Sequence, residues 1–118
     1  MRILVVDDEY CIVKTIGRQL QKAGYHSVCL HDPEIAIRFF DQNHDALDLV
    51  ILDADMPGIT GIDMAHKMCE TKPTLPVILI TSVLNSTGVE IGNNIKTVLR
   101  KPVPREDLLD AVRQSLFL

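Results

Sequence analysis

The chain is poor in the residues that build covalent or metal scaffolds. Its three cysteines, Cys11, Cys29 and Cys69, are odd in number, widely spaced and free of any C-x-x-C pair. That argues against a disulfide framework or thiol redox work and leaves them as reduced, core or half-buried thiols. The four histidines, His26, His31, His44 and His66, are scattered without zinc spacing and read as surface or boundary residues. No apolar run approaches the length of a membrane span. The opening MRILVVDDEY has neither the apolar stretch nor the small-residue cleavage site of a secretory signal, so a cytoplasmic location is expected. There is no Lys/Arg run: the most basic stretch is LRKPVPR at 99–105, and the formal net charge is −4. Direct nucleic-acid binding is therefore disfavoured, and a protein partner or a small charged ligand is expected.

What is present is globular composition. With 118 residues, 47% of them hydrophobic and 24% charged, the chain suffices for one domain, residues 1–118, around one modest core. RILVVD at 2–7 is apolar after Arg2 and reads as a strand buried on both faces. Ile12, Ile16 and Leu20 recur every four residues in a helix from Cys11 to Ala23, stopped by Gly24. HSVCLH at 26–31 is a wetter strand. Pro33 starts a second helix with Ile35, Ala36, Phe39 and Phe40 inward. LDLVILD at 47–53 is a third strand, followed by a helix at 61–70 that buries Ile62, Ala65, Met68 and Cys69. VILITS at 77–82 and TVLRK at 97–101 complete the strands, and Pro104 opens a last helix burying Leu108, Leu109, Val112 and Leu116.

This alternation predicts right-handed β-α-β units: an α/β, doubly wound, five-stranded parallel sheet covered on both faces. The first, third and fourth strands are the most apolar and belong in the centre, which gives the order 2-1-3-4-5 of a flavodoxin-like fold. Parallel strands bring their carboxyl ends to one edge. Asp7-Asp8-Glu9, Asp53, Thr81-Ser82 and Lys101 all sit at such ends.

A lone Asp53 could be a solubilising strand cap, but three converging carboxylates need another account. At about 4 Å and an effective dielectric near 20, each pair would repel by roughly 4 kcal/mol before screening. A lysine relieves part of this, and a hard divalent cation relieves more. Mg²⁺ suits an oxygen-rich site of this kind and leaves room for a phosphoryl oxygen. One carboxylate is then free to act as nucleophile, with Lys101 and Thr81 stabilising the equatorial oxygens.

At these residues the chain resembles the receiver domain of two-component response regulators. The likeness rests on ILVVDDE at 3–9, DLVILDADMPGITG at 48–61, PVILITS at 76–82 and RKP at 100–102, in order and over essentially the full length. The resemblance implies that Asp53 accepts a phosphoryl group from a histidine kinase or a histidine phosphotransfer protein. It implies that Asp8 binds Mg²⁺ directly, Asp7 through water, and Asp55 through its backbone carbonyl. Thr81 matches the hydroxyl that bonds the acyl phosphate, and Lys101 the family's lysine, typically joined by a cis bond to the following proline. Gly58 and Gly61 match the tight loop and close helix approach after the phosphorylated strand. The downstream target, whether a separate protein or a fused effector, is not specified.

Three departures bear on output. Asp55 is acidic at a position that varies in the family and tunes access of attacking water; the plain alternative is a solvent-facing side chain. SVLNSTGVEIGNNIKTVLR, between Thr81 and Lys101, is short and rich in Gly and Asn, so any helix there should be short, near residues 87–95. Val98 stands where many relatives carry an inward-swinging Tyr or Phe. Two alternatives follow: a receiver-shaped interaction module independent of phosphorylation, or a haloacid-dehalogenase-like phosphatase. The second is suggested by the D-x-D of DADMP, but Pro57 replaces the expected Thr or Val and no length remains for a cap.

Overall fold

A computed structural model describes residues 1–82 and 94–116. The elements are β1 (Arg2–Val6), α1 (Tyr10–Lys22), β2 (His26–Leu30), α2 (Pro33–Asn43), a 3-10 turn (His44–Ala46), β3 (Leu49–Asp53), α3 (Gly61–Thr71), β4 (Val77–Thr81), β5 (Ile95–Arg100) and α4 (Arg105–Leu116). The five strands form one sheet, ordered β2-β1-β3-β4-β5, and every pairing is parallel. This is the doubly wound, flavodoxin-like arrangement, with the winding reversing between β1 and β3.

Period-two alternation divides the core. Leu4, Val6, Val50, Leu52, Val77, Leu79 and Ile95 pack with Ala36 and Phe40 of α2 and Met64, Ala65 and Met68 of α3. Ile3, Val5, Leu49, Ile51, Ile78 and Ile80 pack with Val13, Ile16 and Leu20 of α1 and Leu108, Ala111 and Val112 of α4. Strands buried on both faces therefore read as unbroken apolar runs, as the first, third and fourth do.

Local chemistry fixes several helix ends. Asp32 caps α2, its carboxylate accepting from the amides of Glu34 (2.9 Å) and Ile35 (3.4 Å), ahead of Pro33 in the first turn. Thr60 caps α3 by accepting from the Asp63 amide at 3.1 Å. At the opposite edge of the sheet, Lys72 Nζ donates to the carbonyls of His44 (3.0 Å) and Leu47 (2.8 Å), tying the end of α3 to the chain that leads into β3.

Some expectations shift. In α1 Val13 is buried beside Ile16 and Leu20, whereas Ile12 is only partly covered and Cys11 is exposed. Ile35 is 47% exposed, because the inward stripe of α2 runs through Ala36 and Phe40. Met64, absent from the expected stripe of α3, is fully buried. The fifth strand begins at Ile95 instead of 97, so residue 95 is strand and not helix; the rest of the expected 87–95 helix lies outside the described residues, apart from Asn94. Asn94 is buried and donates through Nδ2 to the Ala65 carbonyl at 2.9 Å, joining α3 to the start of β5.

Candidate functional site

The pleat explains why charge gathers at one point. Val5, Ile51 and Leu99 all face the side of α1 and α4. Two residues beyond each lies Asp7, Asp53 or Lys101, so the period of two carries all three onto the same face at the carboxyl edge. Asp8 is one step out of phase with Asp7. Asp7 and Asp53 are each 2% exposed, and Asp8 is exposed. Neighbouring carboxylates in sequence thus have opposite solvation.

Oxygens of Asp7, Asp8 and Asp53 lie within 4.8 Å of one another. Lys101 Nζ sits between the buried pair, 3.0 Å from Asp7 Oδ2 and 3.3 Å from Asp53 Oδ2, and 3.9 Å from Glu9 Oε1. Backbone donors take the other oxygens: the Glu9 amide donates to Asp7 Oδ1 at 2.9 Å, and the Asp55 amide to Asp53 Oδ1 at 3.1 Å. The strand ends are joined by main-chain bonds as well, from Ala54 N to Ile80 O (2.8 Å) and from Lys101 N to Thr81 O (2.8 Å). The Lys101-Pro102 peptide bond is cis.

Burial pushes the Asp7 carboxyl up to about 6 from an ordinary 3.8, and repulsion from Asp53 adds to this. The Glu9 amide and Lys101 pull the other way without overcoming it. For Lys101, burial alone would favour the neutral amine, but hydrogen bonds and attraction to Asp7 and Asp53 hold its pKa above the usual value. Two buried carboxylates facing one ammonium leave negative charge in excess.

A divalent cation fits this donor set. It consists of hard oxygens, its charge surplus calls for one more cation, and exposed Asp8 leaves a wet side where a magnesium-sized ion could keep waters. The acidic cluster is consistent with a metal and phosphoryl site.

The loop after β3 is shaped by glycine. Gly58 has φ +88°, and the Gly61 amide donates to the Ala54 carbonyl at 3.1 Å. A Cβ at position 61 would sit 2.8 Å from Ala54 Cα and closer still to the Asp53 carbonyl oxygen. Only glycine lets α3 start this close to Asp53.

Thr81 ends β4 at the expected edge, on the face opposite to Asp53. It continues the Val77–Leu79 row, which faces α2 and α3, and its hydroxyl donates to Asp55 Oδ2 at 3.1 Å. The Ser82 amide and hydroxyl each lie 3.4 Å from the same oxygen. Ser82 and the Asp55 side chain are contacts that sequence reasoning did not assign. The only signal was an acidic residue two positions past Asp53.

Beyond geometry, the chain is similar to known proteins. TrrA of Thermotoga maritima, a response regulator protein solved in complex with Mg²⁺ and BeF, is 33% identical with a TM-score of 0.85; the match covers 98% of each chain. The transcriptional regulatory protein CpxR of Escherichia coli is 33% identical across 98% of this chain and 49% of its own length. The sensor histidine kinase RcsC of Escherichia coli is 31% identical across 100% of this chain and 12% of its own. The chain thus spans about half or less of these two curated relatives. Among the described residues no helix is long and apolar enough to cross a membrane. Residues 3–113 match the response regulator receiver domain, and with the Asp7, Asp8, Asp53 and Lys101 cluster at the sheet edge, the chain belongs to the receiver domain family of two-component signalling systems.

Proposed function

We propose that residues 1–118 act as one receiver domain in which Asp53 takes a phosphoryl group from the phosphohistidine of a histidine kinase or histidine phosphotransfer protein. The observation that carries this reading is the convergence of Asp7, Asp8 and Asp53 within 4.8 Å, with Lys101 bridging the two buried carboxylates. In transfer, a lone pair of Asp53 forms the new O–P bond as the donor's N–P bond breaks. The electron pair returns to the imidazole. Lys101 is placed to follow the charge onto the phosphoryl oxygens. Asp7, Asp8, the Asp53 carboxylate and the backbone carbonyl of Asp55 would hold Mg²⁺, which when bound supplies positive charge to the transferring group. Water attack on phosphorus later restores the Asp53 carboxylate and releases inorganic phosphate. The chemistry is self-phosphorylation and self-dephosphorylation, without turnover of a free substrate.

The partners on this reading are a kinase or phosphotransfer protein upstream and a protein target or fused effector downstream, in the cytoplasm. Incubation with acetyl phosphate or phosphoramidate and Mg²⁺, followed by intact mass, should give one phosphoryl adduct on the wild type and none on Asp53→Asn. Beryllofluoride binding covers the case of rapid hydrolysis. An adduct that persists in full on Asp53→Asn would overturn the assignment. A wild type that neither forms an adduct nor binds beryllofluoride would favour an interaction module instead.

A further inference from the structure

Three donors at the end of β4 converge on one atom. Thr81 Oγ1, the Ser82 amide and the Ser82 hydroxyl lie 3.1, 3.4 and 3.4 Å from Asp55 Oδ2. Asp55 is exposed, so burial does not force its carboxylate into this place, and water is an alternative partner. The main chain holds it within reach. The Asp55 amide donates to Asp53 Oδ1 at 3.1 Å, which pins the backbone beside Asp53 and leaves the side chain to rotate.

A threonine hydroxyl has a single proton. While Thr81 gives it to Asp55, it cannot give it to an oxygen carried by Asp53. The donor set is suited to an anionic oxygen, and an anionic oxygen already fills it, supplied from two residues along the chain.

We propose that the Asp55 carboxylate is an internal stand-in for the phosphoryl group. It holds Thr81 and Ser82 in the unphosphorylated domain, and a phosphoryl group on Asp53 must displace it to reach them. This rests on the phosphoacceptor reading of Asp53. Two effects oppose simultaneous occupancy: competition for the Thr81 proton, and repulsion between the carboxylate and phosphoryl oxygens. Both are relieved when the Asp55 side chain turns out to solvent, its open side. Asp55 is then a positioning residue that sets how readily the β4 end engages the phosphoryl group.

The test compares beryllofluoride binding in the presence of Mg²⁺ for the wild type, Asp55→Ala, Thr81→Val and the double variant, with the Ser82 amide followed by NMR. Removing a competing charged acceptor should tighten beryllofluoride binding about tenfold in Asp55→Ala. In metal-free protein the same substitution should shift the Ser82 amide resonance, which a residue merely facing solvent would not do. In the Thr81→Val background the gain should be about threefold smaller or less again, the coupling expected of groups in contact. Binding no tighter in Asp55→Ala, an unmoved Ser82 amide, or an equal gain in both Thr81 backgrounds would each overturn the proposal. Wild-type binding that ignores Asp55 sinks this proposal alone. Absence of beryllofluoride binding in every protein sinks the phosphoacceptor reading, and the proposal with it.

Discussion

Gly61 packs against the backbone of Asp53 so closely that no other residue fits there. A Cβ would meet Ala54 Cα at 2.8 Å, with the Asp53 carbonyl nearer still. The start of α3 is therefore a gauge for the position of the phosphoacceptor strand end. Gly61→Ala would gain up to about 1 kcal/mol of helix propensity. Forcing backbone apart costs more, about 3 kcal/mol, so the steric effect wins. Urea unfolding should show net destabilisation, and acetyl phosphate labelling of Asp53 should slow.

Asp7 makes stability depend on pH in an unusual direction. Its folded-state pKa is about 6 against 3.8 ordinarily, so between those values the native state binds more protons than the unfolded state. The contribution of this group is fully present below pH 3.8 and is lost as pH rises through about 6. Asp7→Asn should therefore stabilise the metal-free protein at pH 8, by at most about 3 kcal/mol, and hardly at all at pH 4. Chemical unfolding at the two pH values checks the sign.

Lys101 compensates what Asp7 and Asp53 cannot do alone. Lys101→Met would leave two buried carboxylates facing each other, a change expected to cost about 3–5 kcal/mol in metal-free protein at pH 8. The cost should shrink as pH falls, because Asp7, without the lysine that lowers its pKa, takes up a proton at a higher pH than in the wild type. In the wild type, the raised pKa of Lys101 keeps its stabilising contribution intact below 10.5 and loses it above the folded value. Melting curves of wild type and variant should converge at acid and at strongly alkaline pH.

Mg²⁺ should stabilise the folded chain by mass action. At about 100 times its Kd the gain is about 2.7 kcal/mol for one site. Asp8→Asn, which alters the exposed member of the cluster, should remove most of that gain while leaving the metal-free protein as stable as before or slightly more so. Thermal melts with and without Mg²⁺ measure it directly, and an undiminished Mg²⁺ effect in Asp8→Asn would take Asp8 out of the metal site.

Far from this edge, Lys72 gives a control. Its Nζ donates to the His44 and Leu47 carbonyls at 3.0 and 2.8 Å. Charged hydrogen bonds of this kind contribute about 1.5–3 kcal/mol, so Lys72→Met should lower stability within that range. Phosphorylation of Asp53 should be unchanged, as measured by intact mass.

The sequence by itself determined the sheet and the company Asp53 keeps. Apolar runs doubly buried in β1, β3 and β4 can only be central, and parallel strands must bring their carboxyl ends to one edge, so Asp7, Asp53, Thr81 and Lys101 were bound to reach the same edge. Helix stripes were legible less sharply. Ile35 is more apolar than Ala36, yet Ala36 is the buried one, because hydropathy does not say where around the helix α2 meets the sheet. Only the tertiary structure decided what each charge touches. The pleat buries Asp7 and exposes Asp8, although the two are neighbours of identical chemistry. It also sets Thr81 on the face opposite to Asp53's row, where its hydroxyl donates to an acidic side chain from the loop after β3. A hydrogen bond between Thr81 and Asp55 depends on where two strand ends stop relative to each other in space. That offset is set by the β3–β4 register and the glycine-tight loop, and no local pattern along the chain encodes it.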